Sequence, residues 1–162
     1  MISQERLKQV LDYDPATGVF TWKARSSNRI EVGKRAGGFG TYGYRLIGID
    51  GKLFHASRLA WLYVTGEWPE LHIDHANGNR DDDRFANLRH ATRSENQCNR
   101  AKQANNTSGF KGVYFCKVRQ MWRARITFRG STEDLGLHET AEQAGTAYAL
   151  AAKRVHGEFA RV

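Results

Sequence analysis

The sequence predicts an α+β chain built as two modules in series, and three observations carry that reading. Residues 71–102 run as a strand, a long polar loop, a second strand and a capped helix, a ββα unit. Beyond residue 110, three short strands precede one alanine-rich helix, as in a small three-stranded antiparallel sheet packed on one helix. Residues 103–109, Gln-Ala-Asn-Asn-Thr-Ser-Gly, are small and polar and read as a linker. The expected modules are therefore 1–102, with its core at about 71–102, and 110–162.

Each element has a local reason. Leu7, Val10 and Leu11 share one face of a helix expected over 3–12. Asp14-Pro15-Ala16-Thr17-Gly18 turns the chain into a strand at 19–22. Residues 33–43 are glycine-rich and read as a loop. Residues 44–49 and 52–55 flank Asp50-Gly51, a favoured two-residue hairpin turn. Ser57 is placed to cap a helix that closes at Gly66, with Pro69 beyond. Residues 71–75 and 88–91 are the strands around the polar loop 76–86, and Thr92 with Glu95 forms a capping box. In the second module, strands are expected at 112–117, 122–129 and 135–138. Thr140 and Gln143 then box the start of a helix that stops at Gly157.

Charge narrows the function. Lys and Arg total 25 against 17 Asp and Glu, a formal +8, which favours a polyanionic partner. The surplus is uneven: residues 58–83 carry two basic and six acidic side chains, while the segments on either side are basic. Within that island Asp81-Asp82-Asp83 reads as a solvated loop; the sharper alternative is that part of the island holds a hard cation against phosphate. No purely apolar run exceeds the six residues of 59–64, too few for a membrane span. The opening Met1-Ile2-Ser3-Gln4-Glu5-Arg6 has neither the basic flank nor the apolar stretch of a secretory signal. Cys98 and Cys116 make no disulfide framework, so an intracellular, cytoplasmic location is expected.

The chemistry concentrates in "HIDHANGNRDDDRFANLRHATRSENQCNR". Asp74-His75 ends a strand, Asn87 follows Asp74 by thirteen residues and Asn96 stands nine further on. Phosphodiester hydrolysis needs a deprotonated water and charge relief on phosphate. Neutral imidazole suits the first task, which makes His75 the candidate general base. The carboxylate of Asp74 and the amide oxygen of Asn96 suit a hard divalent cation, Mg²⁺ first and Mn²⁺ as the alternative. Adjacent strand residues point to opposite faces, so Asp74 and His75 share a site only at an irregular strand end. His72 has no Cys or His pair to complete a zinc set, and His90 reads as packing or a phosphate contact.

This constellation resembles the HNH endonuclease family, in its phage and homing-type branch, as do "DYDPATGVFTWK" and "SRLAWLYVTGEWP" upstream. The resemblance implies a ββα-metal nuclease fold over roughly 1–102, one bound cation, Asn87 as a brace that orients the base, and 5′-phosphate and 3′-hydroxyl products. Ser57 departs from the pattern, standing where the family has the His of a His-Arg-Leu segment.

In the second module Ala124, Ile126 and Phe128 alternate with Arg123, Arg125, Thr127 and Arg129, giving one apolar and one basic strand face. Lys111, Lys117 and Arg119 are expected to add to the basic face. Arginines on a sheet can lie in the major groove, reading guanine edges and gripping phosphate. Lys111-Gly112-Val113, Trp122, Leu135-Gly136 and Thr140-Ala141-Glu142 leading to Ala147-Tyr148 resemble the apetala-type, or ethylene-response-factor, DNA-binding domain. That resemblance implies DNA contacts by Arg119, Trp122, Arg123 and Arg125. Tyr114 stands where arginine is usual, which leaves the target sequence open. Arg89, Arg93 and Arg100 are placed to carry the DNA backbone between site and sheet, with a solvated helix face as the alternative.

The expectation is a metal-dependent endonuclease on double-stranded DNA, acting as a monomer or homodimer with no obligate protein partner. The alternative is a non-catalytic DNA-binding regulator built from the same modules.

Overall fold

The computed structural model describes residues 1–25, 30–99, 102, 106–128 and 130–160. Ser3 accepts a hydrogen bond from the Arg6 N–H and starts helix α1 (Gln4–Val10), which buries Leu7 and Val10. The helix ends sooner than the expected 3–12, because Leu11 and Tyr13 are buried while Asp12 and Asp14 are exposed. That period of two makes Leu11–Asp14 a strand, β1, antiparallel to β2 (Val19–Trp22). The glycine-rich segment is not all loop: β3 (Gly38–Phe39) pairs with β4 (Arg45–Ile49), and β5 (Lys52–His55) completes a three-stranded sheet. Asp50 and Gly51 both take positive φ in the turn between β4 and β5.

Helix α2 (Ala56–Thr65) follows β5 with no intervening loop. His55 is therefore its N-cap residue, and Ser57, expected to cap it, is buried inside its first turn. Leu7, Leu11, Phe20, Ile47 and Leu59 are fully buried in one core, each such side chain stabilising the fold by about 1.5–3 kcal/mol. Strands β6 (His72–His75) and β7 (Leu88–Ala91) form an antiparallel pair, with a 3₁₀ turn at Phe85–Asn87 leading into β7. His90 stacks on Trp61 of α2 with centroids 4.1 Å apart, which fastens this pair to the core.

The chain divides into two compact units, Met1–Ala91 and Thr92–Val162. Helix α3 (Arg93–Cys98), with the Thr92–Glu95 capping box formed, groups with the second unit. There β8 (Val113–Cys116), β9 (Met121–Phe128) and β10 (Ser131–His138) make an antiparallel sheet in the order β10-β9-β8. Helix α4 (Ala141–His156) packs Ala144, Tyr148, Ala151 and Ala152 against Val113, Ala124 and Ile126. Asn106 and Ser108, within the expected linker, hydrogen-bond to the backbone of Phe110 and Val113. No helix among the described residues is long and apolar enough to cross a membrane.

Candidate active site

The β6–β7 ladder sets Asp74 opposite Arg89 and His75 opposite Leu88. Residues directly across an antiparallel pair share a face, so a carboxylate and a guanidinium meet. The Asp74 Oδ2 accepts from Arg89 Nε at 2.9 Å, and the Arg89 Nη2 lies 2.9 Å from the same oxygen. Asp74 is only 4% exposed. Arg89, read as a backbone contact for DNA, has its guanidinium turned to this carboxylate.

His75 is equally buried, and its Nε2 lies 2.9 Å from Oδ1 of Asp83, which is 2% exposed. The Tyr44 ring stands 5.9 Å from His75 and 5.4 Å from His55. Burial, and the Arg58 charge after it, hold the His55 pKa below the ordinary imidazole value.

The three consecutive aspartates are not the solvated loop read from the sequence. Asp81 accepts from Arg45 Nε at 2.8 Å and from Arg35 at 3.2 Å. Asp82 accepts from Arg84 Nε at 2.7 Å and Asn77 Nδ2 at 2.6 Å, which pulls its carboxyl down to about 2, with the Arg84 bond the larger cause. Asp83 turns inward to His75. The basic partners Arg35, Arg45 and Arg84 compensate the first two, and nothing in three adjacent identical residues marks which one faces the core.

Asn87 joins the two ends of this loop. Its Oδ1 accepts from the Asn77 N–H at 3.0 Å, its Nδ2 donates to the Asp82 carbonyl at 2.8 Å, and its own carbonyl accepts from the Ala76 N–H at 2.9 Å. The first hairpin supports the far side. The Tyr13 hydroxyl donates to the Asp83 carbonyl at 2.7 Å, and the Phe85 N–H to the Pro15 carbonyl at 3.2 Å. Gly18 has φ +74°, and a Cβ there would sit 2.4 Å from Arg84 N and 2.5 Å from the carbonyl carbon of Asp83. Only glycine allows that approach.

The structure thus gathers Asp74, His75 and Asn87 in the first unit, together with Asp82 and Asp83, which the sequence offered only as part of the aspartate run. Asn96 and Arg93 stand on α3 in the second unit, half-buried and exposed respectively. Arg100 and Arg129 lie outside the described residues. Among the described residues, no three His, Cys, Asp or Glu side chains cluster as a metal-binding group. The donor chemistry of Asp74 and Asn96, a carboxylate and an amide oxygen, fits a hard cation rather than zinc.

On the second unit's sheet Arg123, Arg125 and Thr127 occupy the face away from α4, beside Tyr114, Thr132 and Asp134 of the flanking strands. Arg123 Nε donates to Asp134 Oδ2 at 2.8 Å, and Arg125 Nε lies 3.7 Å from the same oxygen. Arg123 is the main reason the Asp134 carboxyl drops to about 2. Lys117 and Arg119 are exposed in the turn after β8. Trp122 alternates onto the α4 side with Ala124, where it meets Phe115 edge-on at 5.2 Å, and Lys111 donates to the Cys98 carbonyl at 2.5 Å.

The family model for HNH endonuclease matches residues 54–98, the segment that holds Asp74, His75, Asn87 and Asn96. Protein 3.8 of Escherichia phage T7 is 35% identical over 102 residues, which is 62% of this chain and 84% of that protein. The mimivirus protein called "Uncharacterized HNH endonuclease L560", of Acanthamoeba polyphaga mimivirus, is 31% identical over 100 residues, 61% of this chain and 51% of its own length. The chain therefore spans about half of that second relative. A solved structure described as "DNA binding and cleavage by the HNH homing endonuclease I-HmuI" aligns at TM-score 0.42 and 20% identity, covering 91% of this chain and 85% of that one. With most of the phage relative spanned at 35% identity and the family model lying across the Asp74–Asn96 segment, the chain belongs to one family with the phage protein and carries an HNH endonuclease domain over residues 54–98.

Proposed function

We propose that the chain is a divalent-cation-dependent DNA endonuclease that acts on duplex DNA and is held there by the sheet of its second unit. The observation that carries this reading is the Asp74–His75 pair at the end of β6, both buried, above a loop that Asn87 ties together. Asp74 would hold Mg²⁺ or Mn²⁺, an ion that when bound relieves charge on the phosphate and the leaving oxygen, and the amide oxygen of Asn96 is a donor of the same hard class. His75 takes a proton from water. The hydroxide so formed attacks phosphorus, and the bond to the 3′-oxygen breaks, giving a 5′-phosphate and, after protonation from solvent, a 3′-hydroxyl. Asn87 keeps the loop from shifting under the base. General-base removal costs about 10²–10⁴ in rate.

The second unit contributes Arg123 and Arg125 on the open sheet face and Lys117 and Arg119 in the adjoining turn, a set suited to phosphate and base-edge contacts. Arg93 is exposed on α3 and suited to a backbone contact. Trp122 and Lys111 serve the packing of the unit in this structure. The test is a paired one: cleavage of duplex DNA and affinity for it, in wild type and His75→Ala. Loss of cleavage with affinity kept supports the nuclease reading. Wild type that binds tightly but leaves DNA intact with Mg²⁺ favours the regulator instead.

A further inference from the structure

We infer that Asp83 is the positioning residue for His75, fixing the neutral imidazole with its proton on Nε2 and its accepting lone pair on Nδ1. The inference deepens the nuclease reading and rests on it.

The chemistry of the contact decides the tautomer. A carboxylate oxygen that accepts across this contact requires the ring nitrogen 2.9 Å from Asp83 Oδ1 to be the one that carries hydrogen. In neutral imidazole the other nitrogen is then the acceptor. A base that could present either nitrogen would spend part of its time with an N–H aimed at the water it must deprotonate. Asp83 removes that alternative and fixes the ring plane, so that one lone pair faces a constant direction.

The surroundings show that Asp83 is held for this contact. Its second oxygen, Oδ2, is buried with no hydrogen-bond partner among the described residues. A half-satisfied buried carboxylate costs stability that an apolar side chain would not, so its presence calls for a role beyond packing. Its backbone is clamped from both sides. Tyr13 holds the carbonyl, Gly18 lets the first hairpin close against the peptide, and Asp81 and Asp82 are anchored by Arg45 and Arg84.

The experiment is ¹⁵N NMR of histidine-labelled protein at about pH 8, where an ordinary imidazole is neutral, together with single-turnover cleavage. Wild type is expected to show His75 with a pyrrole-type Nε2 and a pyridine-type Nδ1. Asp83→Asn, which can donate as well as accept, is expected to mix the two forms and lower kcat about 10²-fold, with KM for DNA unchanged. Asp83→Glu should recover part of that loss. If Asp83→Asn does not fold, Tyr13→Phe keeps the carboxylate and loosens only its backbone. It should lower kcat severalfold and broaden the His75 signals without moving KM. A wild-type His75 protonated on Nδ1, or a spectrum and kcat indifferent to both variants, overturns the inference. Wild type that binds duplex DNA but leaves it intact with Mg²⁺ overturns instead the nuclease reading beneath it, a failure distinguishable from the first because the tautomer is read without turnover.

Discussion

The Tyr13 hydroxyl donates to the backbone carbonyl of Asp83 at 2.7 Å, joining the first hairpin of the chain to the loop that faces His75. Burial raises the Tyr13 phenol above its ordinary pKa, and the nearby Asp83 charge raises it further, so the group stays a donor throughout the working pH range. Residues far from the chemistry in sequence thus set the geometry of the base.

Gly18 is the sharpest test of that coupling. Gly18→Ala places a methyl group 2.4 Å from the Arg84 amide nitrogen at a φ of +74°. Left-handed strain and steric displacement together should cost about 1–3 kcal/mol, read as a lower denaturation midpoint. Because the displaced peptide is the one after Asp83, cleavage should fall along with stability. Wild-type stability in this variant would show that the hairpin does not bear on the loop.

Acid should loosen the loop through Asp82. Its carboxyl lies at about 2 instead of 3.8, chiefly because of Arg84. A folded-state pKa below the unfolded one gives stability that is fully present above about pH 4 and lost as pH falls toward 2. Denaturant midpoints measured between pH 5 and pH 2.5 should drop more for wild type than for Asp82→Asn. Parallel profiles would contradict the assignment.

Arg123 and Arg125 flank Asp134, so DNA phosphate would compete with a carboxylate for them. Replacing both with alanine should weaken duplex binding and lower the slope of log K against log salt by about 2, roughly one unit for each lost phosphate contact. An unchanged slope would mean that another surface carries the DNA.

Leu59→Ala in α2 removes a fully buried side chain from the core behind β6 and β7. A loss of about 2–5 kcal/mol is expected, measured by chemical denaturation.

Much of this architecture can be read from local sequence because local chemistry decides it. The Thr92–Glu95 and Thr140–Gln143 boxes, the Asp50-Gly51 hairpin and the alternation along β9 are each fixed within a few residues. Features set by distant partners are not legible in this way. Leu11–Asp14 continues a helical apolar pattern, and only pairing with Val19–Trp22 makes it a strand. His55, not Ser57, begins α2 because β5 runs straight into the helix. The expected conflict between Asp74 and His75 takes a definite form: each has its own partner, Arg89 across the ladder and Asp83 from the loop. Neither pairing follows from spacing alone, since one depends on strand register and the other on which of three aspartates turns inward.

The central claim is tested most directly by incubating the protein with supercoiled plasmid and Mg²⁺, beside an EDTA control and the His75→Ala variant. The account predicts conversion to open-circular or linear DNA by wild type alone, and only with the metal present. Cleavage by His75→Ala equal to wild type, or cleavage undiminished in EDTA, would contradict it.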